Sequence, residues 1–384
     1  MAGRRASGWW GLCAAGVVAC GAPETGPVDG GNTPDGGAAC TGGESRTGTC
    51  SASAWVEDLS ACTPLATDYQ PRDGVAGDDG WPACISDDNT FHLVGTGLPA
   101  ASSRTAAFDA MSSKLWANPS VPTAADFLSA RDDYSVAQGL ASRVARRQDV
   151  TYPEVPGGDK FACQTDANAA AQNPDRCAGP AKLKPLIDDA FQKGAACDKP
   201  LVQAARIEAG LLWFLHLSMT SEVWTCSFDD AEDCDAAMGY YTGEPRRDSH
   251  VGYARYVQSI APGTHDRIFD ALLAERCWRD ADPAMPAANT ALYDLAQSQL
   301  QHASLRGIAV IVRDRVERMG CMQGEELEAA QAFVRVLGGF LDHAAQGRDA
   351  TTAARLKAYT DAASQDSAAR AAAQADLDAL FGCP

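Results

Sequence analysis

Apolar residues recur at helical spacing along most of the chain after residue 100. Ala107, Phe108, Met111 and Leu115, for example, fall on one face of a helix because each lies three or four positions from another of the set. No segment shows the sustained apolar and polar alternation that indicates a half-buried strand. The pattern predicts helices at about 102–115, 123–144, 186–191, 201–226, 264–280, 290–319, 325–345 and 350–381.

The segment from 201 to 226 is the most apolar part of the predicted fold. Its centre, Ala209–Leu217, is apolar on every side except at His216, which indicates a helix buried all round. So short an apolar centre cannot cross a bilayer, which requires about 20 apolar residues. The sequence therefore predicts an all-α fold, a helical bundle with this helix in its core.

The chain divides into four regions by composition. We expect a signal peptide over residues 1–19 and a flexible tether rich in Gly and Pro over 20–50. A cysteine-rich irregular region over 51–100 would pack on the helical bundle domain, residues 101–384. The tether is too poor in apolar residues to order itself by burial.

The N-terminal residues predict export. Arg4 and Arg5 precede an uncharged apolar run of signal-peptide length, which closes on Val17-Val18-Ala19-Cys20. This ending resembles the lipobox of bacterial lipoproteins and predicts lipidation of Cys20. We expect an outer-membrane lipoprotein that faces the periplasm or the cell surface, held in the membrane by its acyl chains. An ordinary signal peptide that contains a cysteine is the alternative.

Fourteen cysteines are typical of an oxidising compartment. Removal of Cys13 with the signal peptide and lipidation of Cys20 leave an even number, which suits complete pairing. Zinc is disfavoured because the chain contains no C-x-x-C pair. Cys163–Cys177 and Cys226–Cys234 are the natural local closures. The cysteines predicted to form disulfides are Cys40, Cys50, Cys62, Cys84, Cys163, Cys177, Cys197, Cys226, Cys234, Cys277, Cys321 and Cys383.

The charge balance excludes one class of partner. The formal net charge is −18, and removal of the signal peptide with its two arginines makes the mature chain more acidic still. Lys and Arg form no cluster large enough to neutralise several phosphates, so we expect no nucleic-acid partner. The predicted partners are the membrane, through the lipid on Cys20, and a metal ion or a protein of the cell envelope.

Ionisable residues on helices that otherwise belong to the core are the candidate metal ligands. They are Glu208, His216, His265 and His302. Buried carboxylates and imidazoles need a partner, and together they would suit a transition metal or haem. The alternatives are that Arg206 neutralises Glu208 and that the histidines are hydrogen-bonded core residues.

A second candidate is the acidic loop between Cys226 and Asp235. Its carboxylates could collect Ca²⁺ through oxygen ligands, although the loop lacks the EF-hand pattern. A solvated acidic turn before a helix is the alternative. The residues are Asp229, Asp230, Glu232, Asp233 and Asp235.

Motifs of nucleophilic catalysis are missing from the sequence. It contains neither G-x-S-x-G nor H-E-x-x-H, and no Gly-rich phosphate loop. We therefore name no catalytic residue.

Two stretches are similar to imelysin-like proteins, a family of helical bacterial lipoproteins associated with iron uptake and once described as peptidases. These are Arg206-Ile-Glu-Ala-Gly-Leu-Leu and Ala237-Met-Gly-Tyr-Tyr-Thr-Gly243. The family signature is G-x-H-x-x-E, whose histidine and glutamate are thought to bind metal. Gly263 and His265 match it, and Ile268 stands in place of the glutamate.

These observations lead to one main hypothesis and two alternatives. The hypothesis is a lipid-anchored periplasmic or cell-surface binding protein for a metal ion or metal-containing cofactor in an uptake system. The first alternative is an outer-membrane interaction or scaffold lipoprotein without a ligand. The second, implied by the resemblance, is an imelysin-type peptidase.

Overall fold

The computed structural model describes residues 55–71, 80–95, 98–136, 139–249, 251–284 and 286–384. The predicted signal peptide, Cys20, the tether, Cys40 and Cys50 lie outside these residues. Over the described ranges the fold is all-α, as predicted, with no strand. The helices are α1 (Pro99–Lys114), α2 (Ala124–Ser135), α3 (Leu140–Val144), α4 (Asp159–Gln164), α5 (Ala167–Gln172), α6 (Lys184–Ala195), α7 (Pro200–Cys226), α8 (Asp233–Thr242), α9 (Gly252–Ile260), α10 (Pro262–Ala281), α11 (Thr290–Arg318), α12 (Gly324–Phe333), α13 (Asp342–Arg348), α14 (Ala350–Ala362) and α15 (Ser367–Phe381).

Helix α7 forms the centre of the fold. Pro200 occupies its first turn, where the missing backbone N–H costs nothing. Almost every side chain from Ala204 to Val223 is buried, because α6, α8 and α12 pack around it. The prediction of a core helix is confirmed, and within the described residues no helix is long and apolar enough to cross a membrane.

Several predicted helices are interrupted. The predicted helix over 123–144 opens with the expected capping box of Thr123 and Asp126 but stops at Ser135, and α3 begins at Leu140. The predicted helix over 325–345 becomes α12, a π-helical segment (Val334–Gly338) and α13. The one over 350–381 divides at Ala363, which takes the left-handed conformation with φ 46°.

Short helices were also missed. Helices α4, α5, α8 and α9 lie in segments for which the pattern predicted loops or nothing. Each has only six to ten residues. So short a segment gives a weak periodic signal, and packing against neighbours supplies most of its stability.

Disulfides join distant parts of the chain. Cys62 pairs with Cys383 and Cys84 with Cys277. The two predicted local closures, Cys163–Cys177 and Cys226–Cys234, are confirmed. Cys197 and Cys321 are disulfide-bonded as well.

The residues before α1 are held on the bundle by buried polar contacts. The carboxylate of Glu57 accepts hydrogen bonds from the backbone N–H groups of Gly263 (2.7 Å) and Thr264 (3.2 Å). These groups lie in the first turn of α10, where N–H groups have no partner within the helix. Glu57 also pairs with the buried Arg306 at 3.3 Å. An acid from the N-terminal region thus caps a bundle helix.

Candidate functional site

Glu208 is neutralised by a cation, but not by Arg206. Its Oε1 accepts hydrogen bonds from Arg315 (2.9 Å) and from the hydroxyl of Tyr256 (3.0 Å). Arg206 instead pairs with Asp189 at 2.6 Å. Glu208 is only 3% exposed, so a charged partner is what its burial requires. The pairing makes Glu208 a structural residue.

His265 uses both of its ring nitrogens in the core. Nδ1 lies 2.9 Å from the Tyr241 hydroxyl, and Nε2 lies 2.7 Å from the backbone carbonyl of Arg247. The carbonyl can only accept, so Nε2 carries the proton and Nδ1 accepts from the tyrosine. Ile268, which stands at the glutamate position of the imelysin signature, is fully buried. No lone pair of His265 is left for a metal.

His216 and His302 line one cavity. The His216 cavity, as we call it, has a volume of about 670 Å³ and lies between α7, α11, α13 and the turn 149–151. Glu208 and His265 do not line it. Among the described residues, no group of three or more His, Cys, Asp or Glu side chains is arranged to hold a metal ion. The four predicted ligands therefore form no common site.

The walls of the cavity are partly apolar. Leu217 and Trp224 of α7 and Leu300 and Leu305 of α11 contribute, as does Phe340, which follows the π-helical segment. The rings of Phe340 and His216 meet edge to face, with centroids 5.0 Å apart. A cavity of this size with a few polar groups among apolar ones is typical of small-molecule sites.

His216 is the unusual polar group of this cavity. It is 3% exposed, and its Nδ1 has neither solvent contact nor a hydrogen-bond partner. Burial lowers its pKa to about 3, because charging an imidazole in apolar surroundings is unfavourable. The ring is therefore neutral at physiological pH, the form in which histidine binds metals.

Polar groups lie at the rim. His343 of α13 is exposed and stacks on Tyr152, with ring centroids 4.2 Å apart. Arg348 donates to the backbone carbonyl of Leu380 at 2.5 Å and lies over the ring of Phe381. His302 on α11 is also exposed. The rim thus offers two imidazoles and one guanidinium to a ligand.

Asp149 completes the turn that borders the cavity. Its Oδ1 accepts hydrogen bonds from the hydroxyl (2.6 Å) and the N–H (3.0 Å) of Thr151. Arg176 donates hydrogen bonds to the backbone carbonyls of Asp149 and Tyr152 and so holds the turn in place. Burial raises the pKa of the Asp149 carboxyl.

Sequence reasoning found two of the lining residues and missed the others. His216 and His302 stood out as polar residues on apolar helices. Phe340, His343 and Asp149 gave no such signal, because they come from segments far apart in the chain. The π-helical segment just before Phe340 shifts the helix phase there, and such segments often mark functional sites.

The acidic loop does not gather its carboxylates at one point. Asp235 is fully buried and accepts from the N–H groups of Val94 and Gly95, both at 2.9 Å. Asp230 accepts from the N–H of Glu232 at 2.9 Å. Asp229, Asp230 and Asp233 line a second cleft. The loop is therefore partly structural and partly a cleft wall.

Comparison with known proteins finds no match for this chain. No protein-family model, curated protein or solved structure matches the chain. The resemblance to imelysin-like proteins stays a prediction from two short stretches. The site itself is therefore the basis for a proposal of function.

Proposed function

We propose that this protein binds a flat metal-containing cofactor of the haem class in the His216 cavity. The observation that carries the proposal is the state of His216. It is a buried, neutral imidazole with an unpartnered nitrogen, on the wall of a cavity of about 670 Å³. Nδ1 has no contact with the cavity space, so a metal in the cavity would bind the ring through its other nitrogen, Nε2. That bond would offset part of the cost of burying the imidazole.

A cofactor fits the lining better than a bare ion. A bare transition metal takes three or four protein ligands, and the described residues contain no such group. Haem brings its own equatorial nitrogens and needs one or two side chains from the protein, commonly a histidine. His216 would hold the metal of such a cofactor, and His302, which lines the same cavity, is the candidate for a second ligand.

The other lining residues suit a flat molecule with acidic edges. Leu217, Leu300, Leu305 and Phe340 provide apolar contact surface for a ring system. Arg348 at the rim is placed to pair with a carboxylate of the ligand. The haem class is thus favoured over the calcium ion or the free transition metal that the sequence also allowed.

Export and membrane anchoring belong to the proposal. The lipobox ending at Cys20 supports a lipoprotein of the outer membrane, and the paired cysteines support an oxidising compartment. A cofactor-binding lipoprotein at that location would serve uptake.

Titration of the purified mature protein with haemin tests the proposal. We expect a red-shifted Soret band with one-to-one saturation, and loss of that band in His216→Leu. His92→Leu is the matched control, because His92 is a half-exposed histidine that does not line the cavity. Equal binding by wild type and His216→Leu would contradict the proposal. Complete absence of haemin binding would favour the scaffold alternative.

A further inference from the structure

A second cleft lies on the other side of Trp224. It has a volume of about 520 Å³ and is lined by α3 with the turn after it, the last turns of α7 and the disulfide-closed loop before α8. We call it the arginine cleft, after Arg143, Arg146 and Arg147 in its wall. Asp229 and Asp230 line it from the loop, and Asp233 lines it from the first turn of α8. It is separate from the His216 cavity and independent of the haem proposal.

Three arginines line this cleft, and among the described residues one of them makes an ion pair. Arg147 is 6% exposed and pairs with Glu222 at 2.7 Å, but its Nε has no hydrogen-bond partner. The Nε atoms of Arg143 and Arg146 are buried without a partner as well. Neither of these two side chains makes an ion pair within the described ranges. Burial, and then the neighbouring arginines, lower the pKa of Arg146.

Crowding of this kind is unfavourable without an anion. Guanidinium groups stay protonated in proteins, so they cannot relieve the repulsion by losing a proton. Arg104, buried next to them, donates to the Tyr240 hydroxyl at 2.8 Å and adds to the positive potential. In a chain with a net charge of −18, three arginines in one cleft, with Arg147–Glu222 as their ion pair among the described residues, indicate an anionic group of a ligand.

The acids of the same cleft also lack cations. Asp229 and Asp230 make no ion pair with any described Lys, Arg or His. Burial raises the pKa of Asp233 to about 7, and Glu222 and Asp230 add to the rise. Positive and negative groups thus share one cleft, and Arg147–Glu222 is the ion pair that the structure shows among its lining residues. A ligand that carried only negative charge would meet repulsion from the loop.

We propose that the arginine cleft binds a small zwitterion, a free amino acid or a short peptide. Its carboxylate lies against Arg143 and Arg146, and its ammonium group lies against Asp229 and Asp230. Trp224 and Phe228, which also line the cleft, supply contact surface for the rest of the molecule. Phe228 is 44% exposed, so part of that surface lies at the mouth of the cleft.

A thermal-shift screen of the purified mature protein identifies the ligand, with the common free amino acids and the dipeptide Ala-Ala tested one at a time. The best binder is then compared by calorimetry with its N-acetylated form, its amide form and inorganic phosphate. We expect the zwitterion to bind at least about tenfold more tightly than either blocked form or phosphate, because each of these lacks one charge.

Two variants test the two walls separately. Arg143→Gln/Arg146→Gln should weaken binding of the zwitterion at least about tenfold without lowering the melting temperature, since the variant removes crowded charge. Asp229→Asn/Asp230→Asn should abolish the preference over the N-acetylated form. Arg131→Gln on α2 is the matched control, because Arg131 is exposed and outside the cleft.

Three results would overturn the proposal. The first is that no amino acid or dipeptide raises the melting temperature. The second is that phosphate or the N-acetylated form binds as tightly as the zwitterion, which would make this a simple anion site. The third is equal binding by wild type and the double arginine variant. Haemin binding, measured on the same variants, should be unchanged in every case.

Discussion

Two polar residues on α7, eight positions apart, show how differently a buried group can be accommodated. Glu208 has an arginine and a tyrosine as partners, whereas His216 has an unpartnered Nδ1. Both stood out in the sequence for the same reason, a polar side chain on an apolar helix. Their surroundings make Glu208 part of a structural ion pair and His216 a candidate ligand. Those surroundings come from the packing of α9, α11 and α13 against α7, which the sequence pattern does not reveal.

The low pKa of His216 predicts a pH dependence of stability. The unfolded chain takes up a proton near the ordinary pKa of 6.5, whereas the folded protein does so only near 3. The contribution of His216 is therefore fully present above 6.5 and is lost as the pH falls toward 3. His216→Leu lacks this loss. As the pH falls from about 7 to about 4, the unfolding free energy of the variant should therefore rise relative to that of wild type. Chemical denaturation at a series of pH values measures the difference. A constant difference would show that the imidazole takes up its proton at the same pH in the folded and in the unfolded protein.

Glu208→Gln should destabilise the protein by about 3 kcal/mol, because it leaves the Arg315 guanidinium without its buried counter-charge. Urea unfolding measures the loss. Glu328→Gln is the control: Glu328 pairs with Lys199 on the surface, where such a pair contributes less than about 1 kcal/mol. A loss for Glu208→Gln no larger than for the control would mean that the ion pair adds nothing to stability.

At the scale of elements, long apolar helices were predictable and the breaks between helices were not. The bounds of α7, α10 and α11 lie close to prediction, because a long apolar pattern fixes them and a proline opens α7 and α10. The break at Ala363 contains neither Gly nor Pro, and an alanine takes the left-handed conformation there. The candidate site depends on such breaks, since α13 and Phe340 reach the cavity only after the π-helical segment.

Gly179 illustrates how close two elements come near the arginine cleft. A Cβ atom at this position would overlap the carbonyl oxygen of Val144 and the backbone nitrogen of Arg147. The N–H of Gly179 also donates to the carbonyl of Arg147 at 2.8 Å. Gly179→Ala should therefore cost about 1–3 kcal/mol of stability through overpacking, measured by urea unfolding. Gly339→Ala is the control, because its Cβ would meet nothing within 4 Å. Equal stabilities would show that α3 can move away at no cost.

At the scale of the whole molecule, the disulfides connect the N-terminal residues to the C-terminus and to α10. Cys62–Cys383 spans 321 residues and Cys226–Cys234 only 8. The even count of cysteines predicted pairing, and short separations predicted the two local closures. The long-range pairs could not be predicted, because sequence spacing says nothing about which distant segments meet in the fold.

Loss of the long-range disulfide should destabilise the protein more than loss of the local one. A disulfide that closes a longer loop removes more conformational entropy from the unfolded chain. Here the Cys84–Cys277 disulfide already shortens the covalent path between Cys62 and Cys383. On that model, Cys62→Ser/Cys383→Ser should lose about 2–3 kcal/mol more than Cys226→Ser/Cys234→Ser. Denaturant unfolding of both double variants checks this. The reverse order would show that strain or residual structure outweighs loop entropy.

The central claim is that His216 ligates the metal of a haem-class cofactor. Imidazole rescue tests it most directly: His216→Gly is titrated with haemin, with and without free imidazole, and the Soret band is recorded. Our account predicts that the variant alone binds weakly, and that imidazole, by filling the vacated space, restores the wild-type spectrum. A variant that binds haemin with the wild-type spectrum in the absence of imidazole would contradict the account.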